Sequence, residues 1–135
     1  MSLSAVQSAL LGAIQGPLAG WQVAYPNIDF VIPDESEWAR VSFVPNPPSV
    51  ATLGDAGEDM VDGFLQIDLN YPLGVGDSES RAMFETLRQA FPAGTRVADA
   101  GQVATIISCG RSQGRLSDNW FVVSVTIGWY ALIQR

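Results

Sequence analysis

The chain has 135 residues, 47% of them hydrophobic, with 14 acidic residues against 7 basic ones and a net charge of −7. That length suits one domain spanning residues 1–135, and the apolar share is too high for a disordered chain. The acid surplus works against sequence-specific nucleic acid binding and against anchoring on an anionic bilayer.

Every basic residue is an arginine, and histidine and lysine are both absent. A histidine triad, a Schiff base and a Ser–Lys pair are therefore excluded. The single cysteine, Cys109, allows neither an internal disulfide nor a structural zinc site. It follows the apolar run Ala104–Ile107 and reads as a buried or half-buried thiol. No apolar run reaches the ~18 residues of a membrane span. No basic residue precedes the apolar stretch Met1–Leu18, so a secretory signal is not expected and a cytoplasmic site is.

Ser2 or Ser4 is placed to cap an opening helix in which Val6, Leu10, Ala13 and Ile14 recur at helical spacing. Gly16-Pro17 ends it. Gly20–Asn27 reads as a connector, and Ile28–Ile32 as a short strand stopped by Pro33. After the acidic turn Asp34–Glu37, Trp38–Val44 alternates as a strand, with Ala39, Val41 and Phe43 on one side. Pro45–Glu58, punctuated by Pro45, Pro47, Pro48, Gly54 and Gly57, reads as a long mobile loop.

Gly63–Tyr71 carries the plainest strand signal. Leu65, Ile67, Leu69 and Tyr71 share one face; Gln66, Asp68 and Asn70 share the other, as in an antiparallel sheet with one wet side. Pro72, Gly74 and Gly76 make a turn. A second helix begins at Asp77 or Ser78, with an apolar stripe of Met83, Phe84, Leu87, Ala90 and Phe91. Glu85 lies within pairing reach of Arg81. Thr95–Ala98 and Gln102–Ser108 read as a hairpin. Gly110–Asn119 reads as a second mobile polar loop, carrying Arg111 and Arg115. The last strand, Trp120–Leu132, is apolar on both faces, which predicts a central position or a neighbouring subunit. The fold class is α+β: a mostly antiparallel or mixed sheet with two helices packed on one face.

No catalytic, cofactor-binding or metal-ligating set emerges. Gly74-Val75-Gly76 lacks the third glycine, the Lys-Ser/Thr pair and the βαβ frame of a phosphate-binding turn. Asp55, Glu58, Asp59 and Asp62 read as a solvated loop, with a weak cation site and an acid–base pair as the alternatives. Trp21, Trp38, Trp120 and Trp129 are either core residues or parts of a protein-binding surface.

One family joins these pieces. Its resemblance rests on the opening helix, Asn27-Ile28-Asp29-Phe30 before Pro33, and Ala39-Arg40-Val41. It runs on through Gly63-Phe64-Leu65-Gln66-Ile67-Asp68-Leu69, the Pro72/Gly74/Gly76 turn, Phe91-Pro92-Ala93-Gly94-Thr95, and Trp120-Phe121-Val122-Val123-Ser124-Val125. In that order and spacing the chain resembles the short, lambda-type tail-terminator proteins of long-tailed phages and prophages. The resemblance implies a structural minor tail protein rather than an enzyme, needing no cofactor. It implies a hexameric ring that caps the finished tail tube, stops addition of tube protein and offers a surface to head-completion proteins. The expected partners are thus its own copies, the tail-tube protein and a head-completion protein, with no membrane. The implied location is the head-proximal end of the virion tail, after assembly in the bacterial cytoplasm. For such a surface the candidate interface residues are Arg111, Arg115, Trp120 and Trp129. Another head–tail connector, a tail-tube-like subunit or a carboxylate enzyme are the rival readings.

Overall fold

The structure is a computed structural model, and it describes residues 2–135. Helix α1 spans Leu3–Ile14, and its first turn is capped as expected: Ser2 Oγ accepts from the Ala5 N–H at 3.2 Å. It buries Val6, Ala9, Leu10 and Ile14, a stripe at helical spacing. Strand β1 is Gln22–Ala24, β2 Trp38–Pro45, β3 Ser49–Val50 and β4 Glu58–Pro72. Helix α2 covers Ser78–Ala90, followed by β5 Arg96–Asp99, β6 Gln102–Arg111, β7 Arg115–Ser117 and β8 Trp120–Gln134.

All eight strands belong to one mixed sheet whose main path runs β1-β2-β4-β8-β6-β5. Every pairing is antiparallel except β1 with β2. The backbone of the sheet is β4 against β8, matched over their full lengths from Glu58↔Gln134 to Pro72↔Trp120. This places β8 centrally, as its two apolar faces required.

Both helices lie on one face. Val6, Leu10 and Ile14 of α1 and Leu87 and Phe91 of α2 share a core with Leu65, Ile67 and Leu69 of β4 and Val125, Ile127 and Trp129 of β8. The sheet residues named are all odd-numbered, so strand alternation sends the even-numbered ones to a face without helices. At the margin of the core the half-buried Phe43 ring stacks on Trp129 with centroids 5.3 Å apart and planes at 6°. Gly63 lies beside them, where a side chain would run into the Val44 carbonyl and Pro45 Cα, so only glycine lets β2 approach this closely.

Several expectations are corrected. Ile28–Ile32 forms no strand; the edge strand is β1, inside the segment read as a connector. Asn27, at φ 54°, turns the chain away after β1, and Ile28, Val31 and Ile32 stay exposed. The two expected loose loops are built into hydrogen-bonded structure: β3 pairs with β4 inside the first, and β6 and β7 occupy much of the second. Arg81 pairs with Asp77 rather than Glu85, which takes Arg88 instead. No helix among the described residues is long and apolar enough to cross a membrane.

Candidate protein-interaction surface

The helix-free face is organised by cross-strand register. Trp38, Arg40 and Ser42 of β2 lie opposite Asn70, Asp68 and Gln66 of β4, which in turn lie opposite Val122, Ser124 and Thr126 of β8. At one end of this face the Trp38 ring is stacked on Phe30 at 5.3 Å and met edge-on by Trp120 at 6.0 Å. The Arg40 guanidinium lies over the same Trp38 ring at 5.3 Å, a cation–π contact that orients it.

Asp68 anchors the polar part. Its Oδ1 accepts from Ser124 Oγ at 2.6 Å and from Gln66 Nε2 at 2.9 Å, and Arg115 stands 3.9 Å away. The buried Asn70 amide donates to the carbonyls of Asp68 and Trp38. A cleft of about 270 Å³ results, its charged lining made of Arg40 and Arg115 against Asp68 and Asp118, with Ile32 and Trp120 beside them. Of its two carboxylates, Asp68 is already engaged by donors, while Asp118, on the turn between β7 and β8, is exposed. Its lining combines aromatic side chains with two guanidinium and two carboxylate groups.

The four residues singled out from the sequence do not come together. Trp120 is half-buried at the cleft. Arg115 sits on β7 opposite Val122, also on the helix-free face. Arg111 sits on β6 opposite Val125, on the helix side, with its guanidinium 5.7 Å from the Phe84 ring centre. The two arginines thus occupy opposite faces, and neither lies in a loop. Trp129 is 0% exposed and belongs to the core, so the sequence reading of it as an interface residue is corrected. Alternation decides this: Trp129 is in phase with Val125 and Ile127 on the helix side of the sheet. Trp38 is buried as well, while Trp21 is half-buried and packs edge-on against Tyr71 at 5.5 Å.

The carboxylates near residues 55–62 are dispersed. Asp59 pairs with Arg135, and Asp62 accepts from Asn46 Nδ2 at 3.2 Å. Glu58 and Asp59 are neighbours on a strand and point to opposite sides. Among the described residues no three His, Cys, Asp or Glu side chains converge as a metal site would require. Cys109 is half-buried, and burial pushes its thiol pKa up against the opposing effect of Arg88.

Phe30, Arg40 and Asp68 escaped sequence reasoning as functional residues. The signal for Arg40 and Asp68 is the polar phase of β2 and β4, which says nothing about which positions lie side by side, and Phe30 lies outside both strands. The opening helix, the long β4/β8 ribbon and the absence of a catalytic constellation leave the identity to sequence likeness. The sequence profile of the phage tail terminator proteins matches residues 4–129. The chain belongs to the phage tail terminator family. Terminators are structural proteins of the phage tail. One solved structure superimposes on this terminator with a TM-score of 0.77 and 19% identity, over 98% of this chain and 96% of the other; at that identity the likeness concerns the fold. No curated protein matches the sequence.

Proposed function

We propose that this protein caps the phage tail tube, ends its polymerisation and forms the surface on which head-completion proteins dock. The observation that carries the reading is the family match over residues 4–129, nearly the whole chain. The protein acts as a head-to-tail ring, six copies in the virion, matched to a six-fold tube through a heterologous interface. Its place is the head-proximal end of the tail, reached by assembly in the host cytoplasm, and its partners are its own copies, the tube protein and a head-completion protein. The net charge of −7 per copy, about forty negative charges in six copies, disfavours adhesion of the passing genome to the channel wall.

Deleting the gene from its phage tests this directly. Tubes of uncontrolled length, corrected by supplying the full chain in trans, are the expected result in electron micrographs. Normal tails without the protein would overturn the reading. So would open-ended polymers of the chain itself, which belong to a tube subunit.

A further inference from the structure

We propose that the cleft on the helix-free face is a socket for the 51–57 loop of a second copy of this chain, with Leu53 against its aromatic wall and Asp55 on its arginines. The proposal rests on the ring reading above and names the surfaces that join one copy to the next.

The loop is built as a rigid projection. The N–H groups of Ala51 and Thr52 both donate to the Glu58 carbonyl at 3.0 Å, and the Glu58 N–H returns to Thr52 Oγ1 at 2.7 Å. Arg135 then clamps it, donating from its side chain to the carbonyls of Thr52, Gly54 and Glu58 and from its backbone N–H to Gly57. Such bracing removes most of the ordering cost of binding. Yet the clamped loop holds Leu53 90% exposed, more than any other large hydrophobic residue described, with the exposed Asp55 two positions on. A pre-ordered backbone presenting a bare leucine beside a carboxylate has the form of a plug.

The socket offers an apolar wall and, although Asp68 and Asp118 balance its two arginines in number, one arginine without an ion pair. Ile32, which is exposed, and the half-buried Trp120 supply the accessible apolar wall, with the buried Trp38 behind them. Arg40 makes no ion pair among the described residues, although Arg81, Arg88, Arg115 and Arg135 do. Held on the Trp38 ring, its guanidinium keeps its fork of N–H donors for an incoming carboxylate. Arg115, half-exposed and 3.9 Å from Asp68, adds a second positive group. In a chain carrying twice as many acidic as basic residues, uncommitted arginine at a cleft fits a carboxylate of another copy.

Position makes the contact intermolecular. The loop enters β4 at Glu58, whereas the socket is built around Asp68 and Asn70 of the same strand, roughly 35 Å further along at ~3.3 Å per residue. A copy cannot fill its own socket. With plug and socket at opposite ends, each copy gives one and receives one, the geometry that closes into a ring.

The test uses the phage lacking this gene, supplied in trans with the full chain, and reads tail length by electron microscopy. Arg40→Asp and Asp55→Arg should each give overlong tubes while purified protein melts within a few degrees of wild type. The chain carrying both changes should restore normal length, because the charges are exchanged. Normal length with either single variant, or failure of the exchange to restore it while all three variants fold, would overturn the proposal. Independently, a Cys109→Ser chain carrying Ile32→Cys and Leu53→Cys should cross-link between copies in rings recovered from tails; rings without cross-links would also overturn it. If wild-type chain in trans fails to correct length, the capping function itself fails; if it succeeds and these variants behave like it, only the plug-and-socket contact falls.

Discussion

The Arg135 guanidinium is ion-paired to the Asp59 carboxylate, and this contact ties the end of β8 to the start of β4. The same side chain reaches the carbonyls of Thr52 and Gly54, so one residue holds a whole loop against the sheet. Arg135→Ala should leave the core intact but cost about 1–2 kcal/mol, the range for a few charge-assisted hydrogen bonds at a partly exposed site. Amide exchange of residues 51–57 should accelerate strongly while β4 and β8 stay protected. Unchanged exchange in the loop would show that β3 alone holds it.

Trp129 and Gly63 pack closely where β2 meets β4. Trp129→Ala should cost about 3–5 kcal/mol in urea unfolding. Its indole Nε1 has no hydrogen-bond partner, so Trp129→Phe removes a buried unpaired donor and should cost less than about 2 kcal/mol. Gly63→Ala should destabilise by about 1–3 kcal/mol, since the new methyl meets backbone of β2 and the Trp129 ring. A Phe variant as unstable as the Ala variant would contradict this account of the site.

Tyr71 links stability to alkaline pH. Burial, with the Glu79 and Glu37 carboxylates adding to it, raises its pKa far above the usual value near 10. The folded chain therefore keeps the phenolic proton where the unfolded chain releases it. This contribution is complete below pH about 10 and declines as pH rises beyond it. In a Cys109→Ser chain, which removes the thiol's similar contribution, unfolding free energy should fall between pH 9 and 11. Tyr71→Phe should flatten that fall. An equal decline in both chains would place the effect elsewhere.

Arg111 and Arg115 face opposite sides of the sheet, so variants at the two positions test the two faces separately. Arg115→Glu, at a half-exposed position with one long ion pair, should change stability by less than about 1 kcal/mol yet impair tail termination. Arg111→Glu gives up its contact with Phe84 and tests the helix side. Overlong tubes from Arg115→Glu and normal tubes from Arg111→Glu would assign subunit contact to the helix-free face; the opposite pattern would assign it to the helices.

The amino-acid sequence by itself settled the features that local chemistry and hydrophobic period dictate. Ser2 at the head of an apolar helical stripe, the alternation of Leu65, Ile67, Leu69 and Tyr71, and the missing histidine and lysine were enough for two helices, the central strands and no triad. It also carried the family, because turn residues and hydrophobic phase recur in order along the chain. The features it left open depend on partners far apart in sequence. Ile28–Ile32 has strand composition, but the turn at Asn27 carries it away from the sheet, and β1 takes the edge of β2 instead. Trp129 and Trp120 are both aromatic positions on one strand; only the placement of the helices buries the first and leaves the second at a surface. Arg40 is brought opposite Asp68 by strand register, and Arg135 reaches Asp59, across separations of tens of residues. Register and facing are collective results of packing the whole sheet against two helices, so tertiary structure alone decided which residues form the socket and which hold the loop.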